Sequence, residues 1–205
     1  MSERIEDIFE SLFGGEAASD DPLDDWSTRS IVTTMLPLLM VLSVLQMVSG
    51  SVLEAFKETL LAYPSLLILV PVQIGTAGNL ASIMCARLST QLHLGTFEFH
   101  PSNPDVRANV GAILALALTV FSLVGVAAWA IGRTLGGTLS LAQVFTISML
   151  SGMALALLVI SLSLLSVTLS FRLGYDPDDT TIPVVTNVCD IVGVLILFGV
   201  ATIVL

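Results

Sequence analysis

Charge is scarce in this chain: Asp, Glu, Lys and Arg together make up 12% of its 205 residues, about half the share usual in a soluble domain. With 55% of residues hydrophobic, that scarcity excludes an ordinary water-soluble globule and is the composition of a membrane protein. Basic residues are scarcer still, one lysine against six arginines. The net charge of −10 gathers in an acidic amino-terminal tail, which argues against nucleic acid or anionic headgroups as partners. The two cysteines, Cys85 and Cys189, both fall inside apolar runs. They are read as small buried residues, which excludes a disulfide framework and redox chemistry. The two histidines, His93 and His100, have no partner at metal-ligand spacing, which excludes a zinc site. A basic stretch followed by a short apolar run is missing at the amino terminus, so no cleavable signal is expected. No internal repeat is visible either.

What the chain has is long apolar runs. Five of them, residues 30–52, 63–92, 106–134, 141–173 and 181–205, reach the roughly 20 residues needed to span a bilayer. The expected fold is an all-α integral membrane protein of five transmembrane helices. Residues 1–27 form an acidic cytoplasmic tail, with a short amphipathic helix suggested by Ile5, Ile8, Phe9 and Leu12. Residues 28–205 form the transmembrane domain, leaving no room for a separate soluble catalytic domain. The second run carries Pro64, Pro71, Gly75 and Gly78, so its helix is expected to be broken or kinked. With the amino terminus in the cytoplasm, Arg4, Arg29, Arg87, Arg107 and Arg172 lie inside and only Lys57 and Arg133 outside. That bias predicts a multi-pass protein of the cell membrane with its carboxyl terminus outside. An odd number of spans rules out a simple inverted repeat within one chain, so a symmetric pore needs a second copy.

Asp190 is a lone carboxylate halfway along the last run, at a depth where it costs roughly 2.5–3.5 kcal/mol on insertion scales. Pro183, Thr186, Asn187, Asp190 and Gly193 recur at helical spacing and form one polar face. Such a face lines an ion or proton path; the bland alternative is a carboxylate that is protonated, or hydrogen-bonded to a neighbouring helix, for packing alone, where Asn or Ser would serve at lower cost. On the second run, Gly75, Gly78, Asn79, Ser82, Ala86 and Ser89 make a stripe of small and polar residues, equally suited to close helix packing or an ion path. Joined to Asp190, a carbonyl-rich broken helix around Gly75, Gly78 and Ser82 makes a sensible divalent-cation site. Asp176, Asp178 and Asp179 precede the last run; they either concentrate cations at a cytoplasmic mouth or simply open a helix, with Asp179 or Thr180 as its cap. Arg87 repels a cation and is given a structural or gating role. Glu54 and Glu58, flanking Lys57, are candidates for an outer vestibule.

Residues 71–95, PVQIGTAGNLASIMCARLSTQLHLG, resemble the signature of MgtE-type magnesium transporters and their relatives in solute carrier family forty-one. The segment 176–193, DPDDTTIPVVTNVCDIVG, looks like that family's approach to its final helix. The resemblance covers residues 28–205, without the regulatory cytoplasmic domains of many bacterial members. It implies a homodimer, or a pairing with a closely homologous second half, with the pore at the interface, Asp190 of each copy facing it, and Mg²⁺ as the transported ion. Mg²⁺ dehydrates reluctantly, so paired Asp190 carboxylates, the Thr186 carbonyl, Asn187 and Asn79 suit a hydrated ion; Mn²⁺ or Co²⁺ are alternatives. Two other classes stay open: an intramembrane enzyme, disfavoured by one buried carboxylate per chain, and a non-catalytic membrane subunit that binds a partner through the acidic tail.

Overall fold

Prolines, glycines and short polar side chains set where each helix starts and stops. The computed structural model describes residues 28–96, 103–173 and 177–205, and every regular element among them is helical. These are α1 (Thr28–Ala55), α2 (Lys57–Ala62), α3 (Pro64–His93), α4 (Pro104–Thr134), α5 (Leu141–Leu173) and α6 (Pro177–Val204). All but α2 contain a segment long and apolar enough to cross a membrane: Met35–Ala55, Pro64–His93, Pro104–Thr134, Leu141–Leu173 and Thr180–Val204. The acidic tail with its expected amphipathic helix, Glu98, His100 and Asp176 lie outside the described residues.

The caps follow the sequence closely. Asn103 accepts from the Asp105 backbone N–H at 2.9 Å, and Pro104 occupies the first helical position of α4, where no N–H is needed. Ser140 and Gln143 form a reciprocal capping box: the Ser140 N–H donates to Gln143 Oε1 at 3.0 Å and the Gln143 N–H donates to Ser140 Oγ at 3.2 Å. α3 and α4 end at Gly95 (φ 69°) and Gly136 (φ 82°). In both, the following N–H reaches back past a full turn, Thr96 to the Gln91 carbonyl at 3.0 Å and Gly137 to the Gly132 carbonyl at 2.8 Å. This closure requires the left-handed conformation that glycine adopts without penalty.

Two expectations need correction. α3 continues as one helix through Pro71, Gly75 and Gly78, so the expected break is absent; a proline inside a helix removes one backbone bond without having to end the ladder. The interruption falls before α3, at Phe56 and Tyr63, which bracket the short α2. α6 starts at Pro177, so Asp179 and Thr180 sit within its first turn instead of capping it.

Residues 1–41 and 42–205 form two separate units. The described part of the first is the opening stretch of α1, helical through Pro37, with Leu36, Leu39, Met40 and Val41 exposed. In the second, α3 packs against α4, α5 and α6, α5 also packs against α4 and α6, and α2 lies on α3. Phe56 stacks on Phe198 of α6, with ring centroids 4.2 Å apart.

The core of this second unit comes in two apolar clusters. One gathers Leu80, Met84, Leu88, Ile113, Phe121, Val159, Val167 and Val185; the other gathers Leu66, Leu69, Ala128, Val144, Ile147, Val194, Leu197 and Phe198. A belt of polar groups separates them. Gln73 Nε2 donates to the Ser148 carbonyl at 3.1 Å and to Ser151 Oγ at 2.6 Å, while Ser148 Oγ donates to the Phe121 carbonyl at 2.8 Å. These bonds tie α3, α4 and α5 together where an unsatisfied amide would be costly. Lipid supplies no hydrophobic drive between helices, so close contact has to come from small residues. Gly152 packs flat against the Phe121 ring, and Gly132 against Ser65.

Candidate functional site

On α6 the polar side chains fold back onto their own helix just before the carboxylate. Thr186 Oγ1 donates to the carbonyls of Ile182 (2.9 Å) and Pro183 (3.1 Å), and Asn187 Nδ2 donates to Pro183 at 3.0 Å. This uses the Thr186 hydroxyl proton and one of the two Asn187 N–H groups, leaving Asn187 Oδ1 and its second N–H to offer. Asp190 follows, half-buried and lying along α6 between the residues of the two apolar clusters.

Its two oxygens meet different neighbours. Oδ2 accepts a hydrogen bond of 2.8 Å from Gln46 Nε2 on α1. Oδ1 faces α3, where a Cβ added to Gly78 would lie 4.0 Å from it. Gly78 therefore leaves room for about one methyl group beside the carboxylate. Ser82 Oγ donates to the Gly78 carbonyl at 3.0 Å, occupying part of that oxygen's capacity. Gly75 and Asn79 are exposed, and a side chain at Gly75 would meet nothing within 4 Å.

Within one chain, then, Asp190, Gly78 and Ser82 come together across the α3–α6 contact, with Thr186 and Asn187 a turn earlier on α6. Gly75 and Asn79 lie on exposed surface. Asp178 and Asp179 belong to the opening turn of α6; their side chains, and all of Asp176, lie outside the described residues. Among the described residues no group of three or more His, Cys, Asp or Glu converges on one point. The one ion pair among them joins Lys57 to Glu54, exposed at 3.0 Å. Asp190 is thus met by a neutral amide, which leaves its charge uncompensated within these residues.

Gln46 is the residue sequence reasoning missed. Its signal was present: it is the one side-chain amide in the run 30–52, and a polar group at that depth seeks a partner on another helix. Arg87 behaves as a structural residue. Its Nε donates to Asn109 Oδ1 at 2.5 Å, and Asn109 is buried on α4. Cys85 and Cys189 are free and buried, and Cys85 Sγ donates to Ser163 Oγ at 3.3 Å.

Residues 70–200 match the family MgtE, described as divalent cation transporter. Over 171 residues the chain is 31% identical to the magnesium transporter MgtE of Thermus thermophilus, a match that covers 82% of this chain and 35% of that protein. The chain therefore spans well under half of that relative's length.

Proposed function

Because the chain belongs to the MgtE family of divalent cation transporters, we propose that it carries Mg²⁺ across a membrane as a pair of identical chains, with Asp190 of each facing the path between them. One observation carries the proposal: a mid-helix carboxylate met by a single neutral amide, beside a glycine that leaves space for a ligand. An intramembrane charge without a cationic partner is costly unless a cation visits it. Two such carboxylates match the charge of one divalent ion, which a single chain does not.

Mg²⁺ keeps several of its waters, so its path needs acceptors set at the distance of a hydration shell more than a tight cage. In this reading Asp190 Oδ1, the Thr186 carbonyl, Asn187 and Asn79 receive hydrogen bonds from coordinated water. Gly75, Gly78 and Ser82 keep α3 slim enough for the shell to pass, and a bend of α3 at Pro71 opens the approach. The exposed Gly75, Asn79 and Ala86 are the residues of this stripe free to face a second copy. Asp176, Asp178 and Asp179 concentrate cations at the cytoplasmic mouth. The protein sits in the cell membrane with its amino terminus inside and its carboxyl terminus outside. Mn²⁺ and Co²⁺, of like charge, compete for the same path.

The test is Asp190→Ala in a host that depends on added Mg²⁺. The variant is expected to assemble as the parent does and to lose Mg²⁺ uptake; parental uptake by an assembled Asp190→Ala would falsify the proposal.

A further inference from the structure

Gln46 Nε2 is committed to Asp190 Oδ2 at 2.8 Å, while Gln46 Oε1 is buried without a hydrogen-bond partner among the described residues. With Asp190 ionised, as the transport reading requires, the carboxylate only accepts, so the NH₂ faces Asp190 and the carbonyl oxygen is the other end. Leaving a buried acceptor unpaired costs on the order of 1–3 kcal/mol. Filling space does not require that cost, since a methionine would occupy the same volume on α1, though without the donor that Asp190 Oδ2 accepts. A buried acceptor without a partner, on the same amide that holds the carboxylate, is satisfied when a donor is admitted to it.

We infer that Gln46 is a specificity-determining residue of the cation path, its Oε1 accepting a hydrogen bond from a water in the hydration shell of the divalent cation that Asp190 attracts. A hydrated cation presents only O–H donors to its surroundings, so outer-shell recognition requires acceptors alone. The bond to Asp190 sorts the Gln46 amide so that its NH₂ end is turned to the carboxylate and Oε1 is the end left unpaired. The same bond aims Asp190, holding Oδ2 toward α1 and leaving Oδ1 toward Gly78 and the gap beside it. A free amide would present its NH₂ half the time and repel the shell.

This inference rests on the transport reading and extends it to a residue on a different helix. It is tested with full-length protein in liposomes by measuring Mg²⁺ uptake against Mg²⁺ concentration. Gln46→Met keeps volume and removes both polar ends. It is expected to raise the half-saturating concentration about tenfold, the equivalent of one lost hydrogen bond to a charged cluster, while the maximal rate changes less than twofold. Gln46→Leu also removes both polar ends at similar volume and is expected to show the same rise. A Gln46→Met protein that saturates at or below the parental concentration overturns the inference, as does one whose maximal rate falls in step with its affinity. If Gln46→Met fails to assemble, Gln46→Leu decides alone, and an unchanged or lowered half-saturating concentration there refutes it. Absence of Mg²⁺ uptake by the parent sinks the transport reading itself, whereas parental uptake with an unaffected Gln46→Met sinks only the role of Gln46.

Discussion

Glycines in this protein have sharply different surroundings, and the difference predicts which will tolerate change. A Cβ on Gly152 would lie 2.3 Å from the Phe121 ring, whereas one on Gly75 would meet nothing within 4 Å. The ring is fully buried and cannot swing aside, so Gly152→Ala is expected to destabilise by about 1–3 kcal/mol as an overpacked contact. Gly75→Ala should leave stability unchanged. Thermal unfolding of both variants in the same detergent checks the contrast. The sequence reading made Gly75 and Gly78 alike, since periodicity reports which residues share a helix face and not what the face opposes. Asp190 was legible at once because a lone charge in an apolar run is its own signal. Gln46 was not, because a neutral amide barely alters hydropathy and its partner lies 144 positions away.

At the scale of elements, short polar caps decide where helices begin. Ser140 and Gln143 satisfy each other's backbone at the start of α5. Ser140→Ala is expected to cost about 1 kcal/mol and to leave Asp190-dependent transport intact, which chemical unfolding and uptake assays measure separately. The long helices were legible as apolar runs: 141–173 coincides with α5, and 63–92 differs from α3 by a residue at each end. α2 was not legible, being six residues long and too short for a periodic pattern. The start of α6 was misplaced because hydropathy cannot register a first turn made of Pro177, Asp178 and Asp179. The break expected in α3 rested on composition, and proline and glycine loosen a helix more often than they end one when its neighbours hold it.

For the whole molecule, the proposal requires a second copy next to α3. Gly75→Cys supplies a test, since the native Cys85 and Cys189 are buried and will not compete. Mild oxidation is expected to give a covalent dimer at Gly75→Cys and none at Leu118→Cys, an exposed control on α4; the reverse pattern would place the interface elsewhere. Family membership was readable from the sequence because two motifs lie on the two helices that meet at Asp190, α3 and α6. The polar belt has a mechanical consequence. Gln73 holds two groups on α5, and a slide of α5 along α3 by one turn would strip the amide of both, whereas a small tilt about them keeps both. The belt is therefore a fulcrum: the inner and outer ends of the bundle can swing in opposite senses while the middle stays in register. Asp190 lies close to that fulcrum, where a lever moves least.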